Sequence, residues 1–166
     1  MHGLRALIIM LKITFAEPNR TTFQPHENGI FDVKWDRMDA RIVTCSGDHS
    51  SRITSVEKNV TTHVLHGHMS TVKTACWDPT NDALLATGGR DGVICLWDLR
   101  TSATTVNNVS VSEPVIIIPN AHGDPTKPKT KKKTKKTSVS VPKTVTSIIY
   151  PELQPYGLVS GGAADG

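Results

Sequence analysis

The chain is 166 residues long, 37% hydrophobic and 20% charged, with a formal net charge of +4. A length of this order makes one domain. The charge is local: seven lysines lie between Lys127 and Lys136, and without them the formal charge is −3. No phosphate-cradling glycine loop, zinc-type cysteine pair or nucleophile elbow is present, so the sequence offers no active site, no metal and no cofactor.

Residues 1–24 form an N-terminal segment of uncertain character. Arg5 precedes the six apolar residues Ala6 to Leu11, too few to span a membrane and marginal for a signal peptide. The segment reads as a strand from a preceding unit or as a misannotated start exon, and no membrane partner is expected.

From residue 25 the chain repeats. His26 precedes His68 by 42 residues, Trp35 precedes Trp77 by 42, and Asp48 precedes Asp91 by 43. In the first unit a strand over Gly29 to Trp35 is followed by Ile42-Val43-Thr44-Cys45-Ser46-Gly47-Asp48. In the second, Val72, Thr74 and Cys76 alternate with Lys73, Ala75 and Trp77, and Leu84 to Asp91 follow. A tight turn on Arg90-Asp91-Gly92 leads into a last strand, where Val93, Cys95 and Trp97 alternate with Ile94, Leu96 and Asp98. Apolar residues on both faces suit a sheet packed between two others. Cys45, Cys76 and Cys95 sit at strand positions without metal-ligand spacing and read as reduced, buried residues of an intracellular protein. His63 and His66 have no evident third ligand and do not make a metal site.

A third unit starts at Ala121-His122, resumes at Val145 to Tyr150 and reaches Leu158 to Gly166. Asp165 follows Asp91 by 74 residues, so this unit carries an insertion of about 31. Its proline-flanked lysine run has no apolar residue to bury, so residues 123–142 read as a disordered loop at the rim.

A Gly-His at the start of a unit, Trp-Asp at its end and a period in the low forties resemble the WD repeat, one blade of a β-propeller. The expected fold is all-β: a partial WD-repeat propeller over residues 25–166, two to three blades of a seven-bladed parent, which needs roughly 300 residues. The first blade is degenerate, with Thr54-Ser55 where Trp-Asp is expected, and the third stops before its Trp-Asp strand. The chain therefore reads as a fragment, or as a gene model truncated at both ends. An arc with open sheet faces is expected to be unstable or aggregation-prone alone. The WD pattern implies that Trp97, Thr87, His68 and Asp91 share a hydrogen-bonded network, with a structural rather than a catalytic role.

Trp97-Asp98-Leu99-Arg100 resembles the Trp-Asp-x-Arg motif of WD-repeat substrate receptors of cullin-4 RING ubiquitin ligases. In that class the arginine lies on the propeller rim and contacts the ligase adaptor. Its five-donor fork suits carboxylates and carbonyls of a partner. Three further segments are similar to the denticleless family: Phe31 to Trp35 with Ile42 to Asp48, Thr87 to Gly92, and Leu158 to Gly166. The lysine-rich insertion between Ala121-His122 and Val145-Thr146 is similar to that family too.

The resemblance implies a non-catalytic receptor that recruits replication and cell-cycle proteins, docked on the DNA sliding clamp, for ubiquitination in the nucleus. It assigns adaptor contact to Trp97, Asp98 and Arg100. The alternative is a generic WD-repeat interaction scaffold without a ligase link, in which Arg100 only solvates a strand exit. Lys131, Lys132, Lys133, Lys135 and Lys136 are candidates for nuclear import or for weak phosphate contact. A solvated spacer explains them equally well. Without interleaved aromatics, no sequence-specific nucleic-acid binding is expected.

Overall fold

The computed structural model describes residues 11–14, 20–101, 104–123, 143–151 and 157–163. The lysine run Lys127 to Lys136 lies outside the described residues, as do Ala6 to Met10 and Asp165. Among the described residues all regular structure is strand. No helix among the described residues is long and apolar enough to cross a membrane.

A hairpin of β1 (Leu11–Thr14) and β2 (Arg20–Phe23) comes first. The first repeat forms an antiparallel meander, β3 (Ile30–Trp35), β4 (Arg41–Ser46), β5 (Ser50–Ser55) and β6 (Val60–His66). The second repeat gives β7 (Val72–Trp77), β8 (Leu84–Gly89) and β9 (Ile94–Asp98). Next follow β10 (Thr104–Val106), β11 (Val109–Ser112) and β12 (Ile116–Ile118). Strand β12 completes the second sheet in the order β12-β9-β8-β7. The third repeat contributes β13 (Thr144–Ile149) and β14 (Val159–Ala163), paired with each other. The result is a succession of blade-like sheets, the partial propeller that the repeat implies.

Among the described residues, the β10–β11 hairpin is an addition the repeat does not call for. It turns on Asn107 and Asn108, with φ of 50° and 64°, the left-handed pair that a two-residue hairpin requires. Strand β11 then lies parallel to β6, with Val111 opposite Val64. The first sheet thereby gains two outer strands from the chain of the second, and the hairpin staples the two blades together at their outer rim.

The core lies between the blades. Val43, Cys45, Ile53 and Leu65 of the first sheet pack against Val72, Ala75, Leu85, Cys95 and Trp97 of the second. Ala86 and Ile94 on its other face meet Val145 and Ile148 of the third. The strict alternation expected over Val72 to Trp77 is broken: a bulge at Lys73 shifts the register between Val72 and Thr74. Val72 and Ala75 therefore share the first core, because the extra residue resets the face of every later side chain.

A second tie links the blades at the opposite end from the repeat histidines. Arg41 donates to the buried Asp36 at 2.8 Å, to the backbone oxygen of Asp82 at 2.7 Å, and stacks 5.1 Å above the Trp77 ring. One guanidinium thus bridges β4 and the β7–β8 turn, using its planar fork and its face at once.

Candidate functional site

Strands β8 and β9 and the loop before β7 bring Trp97, Thr87, His68 and Asp91 into one chain of bonds. The Trp97 indole donates to Thr87 Oγ1 at 2.8 Å. An indole N–H only donates, so the Thr87 hydroxyl is free to pass its own proton to His68 Nε2, also at 2.8 Å. His68 Nδ1 then donates to the Asp91 carboxylate at 3.1 Å. Backbone amides of Met69 and Val93 donate to the same carboxylate. Burial alone would raise the Asp91 carboxyl, but the bonds from His68, Met69 and Val93 outweigh it and hold it below its ordinary value. Gly89 makes the arrangement possible: a Cβ there would lie 2.6 Å from Asp91 Oδ1 and 2.7 Å from His68 Nδ1.

The first blade repeats this design without its tryptophan. His26 Nδ1 meets Asp48 at 2.7 Å and Nε2 meets Thr44 Oγ1 at 2.9 Å. Thr54 stands at the tryptophan position and reaches only Thr61, at 3.5 Å. Burial lowers the His26 imidazole despite the opposing pull of Asp48, so the ring is neutral and the contact is a hydrogen bond rather than an ion pair. Sequence spacing pairs His26 with Asp48; the part played by Thr44 follows from its equivalence to Thr87. In the third unit His122 Nε2 is buried with no partner among the described residues.

These networks are closed and chemically quiet. Within the His26 and His68 networks each side-chain polar group has its partner, which is what a rigid scaffold needs; Arg52 Nε, Ser112 Oγ and His122 Nε2 are buried without one among the described residues. Cys45, Cys76 and Cys95 are free thiols, each pushed up to about 12 by burial, far from the thiolate state that nucleophilic or metal chemistry requires. Among the described residues no group of three or more His, Cys, Asp or Glu could hold a metal ion. His63 bonds Thr62 on its own strand.

The exposed chemistry sits where β9 leaves the sheet. Asp98 and Arg100 flank Leu99, which packs against the first core. Arg100 Nε donates to Asp98 Oδ1 at 2.8 Å and Nη2 to Oδ2 at 2.7 Å. The Arg100 amide donates to Oδ1 as well, at 3.0 Å. These bonds pull the Asp98 carboxyl down to about 2. The arginine side chain remains 65% exposed. Two of its five N–H groups are engaged, and no other described residue takes the rest. Trp97 is buried directly behind this exit, so the structure places Trp97 in the wall of the blade and Arg100 alone on its surface.

Sequence comparison fits this geometry. The WD domain, G-beta repeat family matches residues 17–55 and 59–98, so each family unit starts at an outer strand, β2 or β6. Denticleless protein homolog A of Xenopus laevis is 31% identical over 152 residues, covering 87% of this chain and 21% of that protein. The human Denticleless protein homolog is 30% identical over 148 residues, 85% of this chain and 20% of that protein. The chain belongs to the Denticleless family of WD-repeat proteins. Protein lethal(2)denticleless of Drosophila melanogaster is 35% identical over 105 residues, 55% of this chain and 13% of that protein. The chain thus spans about one fifth of the length of the vertebrate Denticleless relatives.

Proposed function

We propose that this Denticleless-family chain belongs to a non-catalytic substrate receptor of a cullin-4 ubiquitin ligase, with Arg100 as its anchor on the ligase adaptor. One observation carries the reading: a guanidinium fixed in orientation by Asp98 yet largely exposed, at the exit of the one Trp-Asp-x-Arg strand. An anchor whose rotamer is already set loses less entropy on docking than a free side chain. Its unused N–H groups suit a partner's carboxylate or carbonyls. Trp97 supports the strand from within, and Asp98 orients the fork. The generic-scaffold alternative gives Arg100 nothing to bind.

The substrates are proteins of replication and the cell cycle presented on the sliding clamp, and the site of action is the nucleus. Import falls to the lysine cluster Lys131, Lys132, Lys133, Lys135 and Lys136. Changing these five to glutamine in a tagged full-length gene product is expected to lower its nuclear fraction on imaging; a fully nuclear variant assigns the cluster to a spacer. Co-precipitation of the full-length gene product with cullin-4 and the adaptor tests the receptor reading itself. Recovery of both supports it, and recovery of neither contradicts it.

A further inference from the structure

We infer that Thr101 is a phosphorylation site, and that a phosphoryl group there releases the chain from the ligase adaptor. The inference rests on the reading of Arg100 as the anchor and adds a switch to it.

The turn that presents Arg100 is fastened at both ends. Leu99 ties it to the blade: its amide donates to the backbone oxygen of Ala83 at 2.9 Å, and its side chain packs against the first core. Thr101 closes it from the other side. Its amide and its hydroxyl both donate to the backbone oxygen of Asp98, at 3.2 Å and 2.6 Å. Asp98 is also the residue whose carboxylate holds the Arg100 guanidinium. Thr101 therefore pins the backbone of the residue that aims the anchor, which makes it a positioning residue.

The hydroxyl is also within reach of another protein. Thr101 is exposed, on a turn just past the end of β9. The threonines of the blade networks, Thr44 and Thr87, are fully buried and bonded to histidines. In the modification the Thr101 oxygen attacks the γ-phosphorus of a nucleoside triphosphate. The hydroxyl loses its proton, the β–γ bridging bond breaks and the nucleoside diphosphate departs.

Two consequences follow from the geometry. The esterified oxygen has no proton, so the 2.6 Å bond to Asp98 is lost. The phosphoryl group also brings close to two negative charges and three strong acceptors to a position next to Arg100. It repels the Asp98 carboxylate and competes with it for the guanidinium, while the N–H groups that Asp98 leaves free pair with phosphate oxygens rather than with a partner. Both effects act on one side chain, so the switch works through Arg100.

The test uses the full-length gene product and the purified adaptor. Phosphoserine is installed at position 101 and compared with Thr101→Ser, each with Arg100 and with Arg100→Ala. The phosphoryl group is expected to weaken binding about tenfold or more when Arg100 is present, to add no loss in the Arg100→Ala background, and to leave the unfolding midpoint unchanged. Equal affinity with and without phosphate, when Arg100→Ala alone weakens binding, overturns the switch and leaves the anchor reading standing. A full further loss in the Arg100→Ala background, or a lowered midpoint, also overturns it. An Arg100→Ala protein that binds as tightly as the unmodified one overturns the anchor and the switch together. Peptide mapping of the gene product from dividing cells treated with phosphatase inhibitors is expected to find phosphate on Thr101. A Thr101 peptide recovered only unmodified overturns the site.

Discussion

Trp97 and Thr54 occupy the same place in successive blades, and only the tryptophan reaches its threonine, Thr87, at 2.8 Å. The second blade therefore carries a four-membered network and the first a three-membered one. Trp97→Phe removes the donor while keeping most of the ring, and is expected to cost about 1–3 kcal/mol. Trp97→Ala also opens a cavity in the core between the blades and is expected to cost about 3–5 kcal/mol. Urea unfolding of both variants separates the two contributions. Equal losses would mean that the cavity adds nothing, and no loss in Trp97→Phe would mean that the hydrogen bond adds nothing.

Arg41 is expected to matter more than any surface arginine. Its removal strands the buried Asp36 carboxylate, whose pairing with Arg41 overrides burial and holds it below the ordinary range. Arg41→Ala is expected to cost about 3 kcal/mol, and Arg41→Lys to recover only part of it, since lysine cannot make the fork. Full recovery by lysine would show that charge alone suffices.

Acid is expected to loosen the fold in two stages. Burial holds the His26 imidazole below its ordinary 6.5. The unfolded chain therefore takes up a proton that the folded chain refuses, and stability is full above about 6.5 and falls below it. His63 is lowered by burial as well and shares this stage. Asp36, Asp48 and Asp91 are held below 3.8, so their contribution is present above about 4 and is lost below it. In urea titrations at pH 7, 6 and 5, His26→Gln is expected to be less stable at pH 7 but flatter with pH. An unchanged slope would remove His26 from the account.

His49 stands at a φ of 68° where the following blade has Gly92 at 72°. A side chain pays a steric cost there that glycine does not. His49→Gly is expected to stabilise by about 0.5–1 kcal/mol after glycine's extra unfolded-state entropy is allowed for. A lower thermal midpoint would contradict this.

The blade repeat is readable because its periodic residues do local work. His68, Thr87, Asp91 and Trp97 are fixed by one meander, so their spacing carries their contacts. Strands β10 and β11 stand outside the blade period, and only Asn107-Asn108 between valines signals their hairpin locally. The parallel pairing of β11 with β6 depends on a neighbouring blade, and no local pattern encodes it. The Lys73 bulge is likewise invisible to an alternation count, since it resets the face without changing residue types. The role of Arg41 has no sequence signal, because its partners Asp36 and Asp82 lie on different blades. The Trp-Asp-x-Arg motif marks Arg100; its fork onto Asp98 is a structural fact the motif alone does not supply.

The central claim is that Arg100 anchors the chain to the ligase adaptor. The direct measurement is the equilibrium affinity of the full-length gene product for the purified adaptor, compared with Arg100→Ala. The account predicts a loss of roughly thirtyfold with an unchanged unfolding midpoint, because Arg100 lies outside the core. Equal affinity of the two proteins would contradict it.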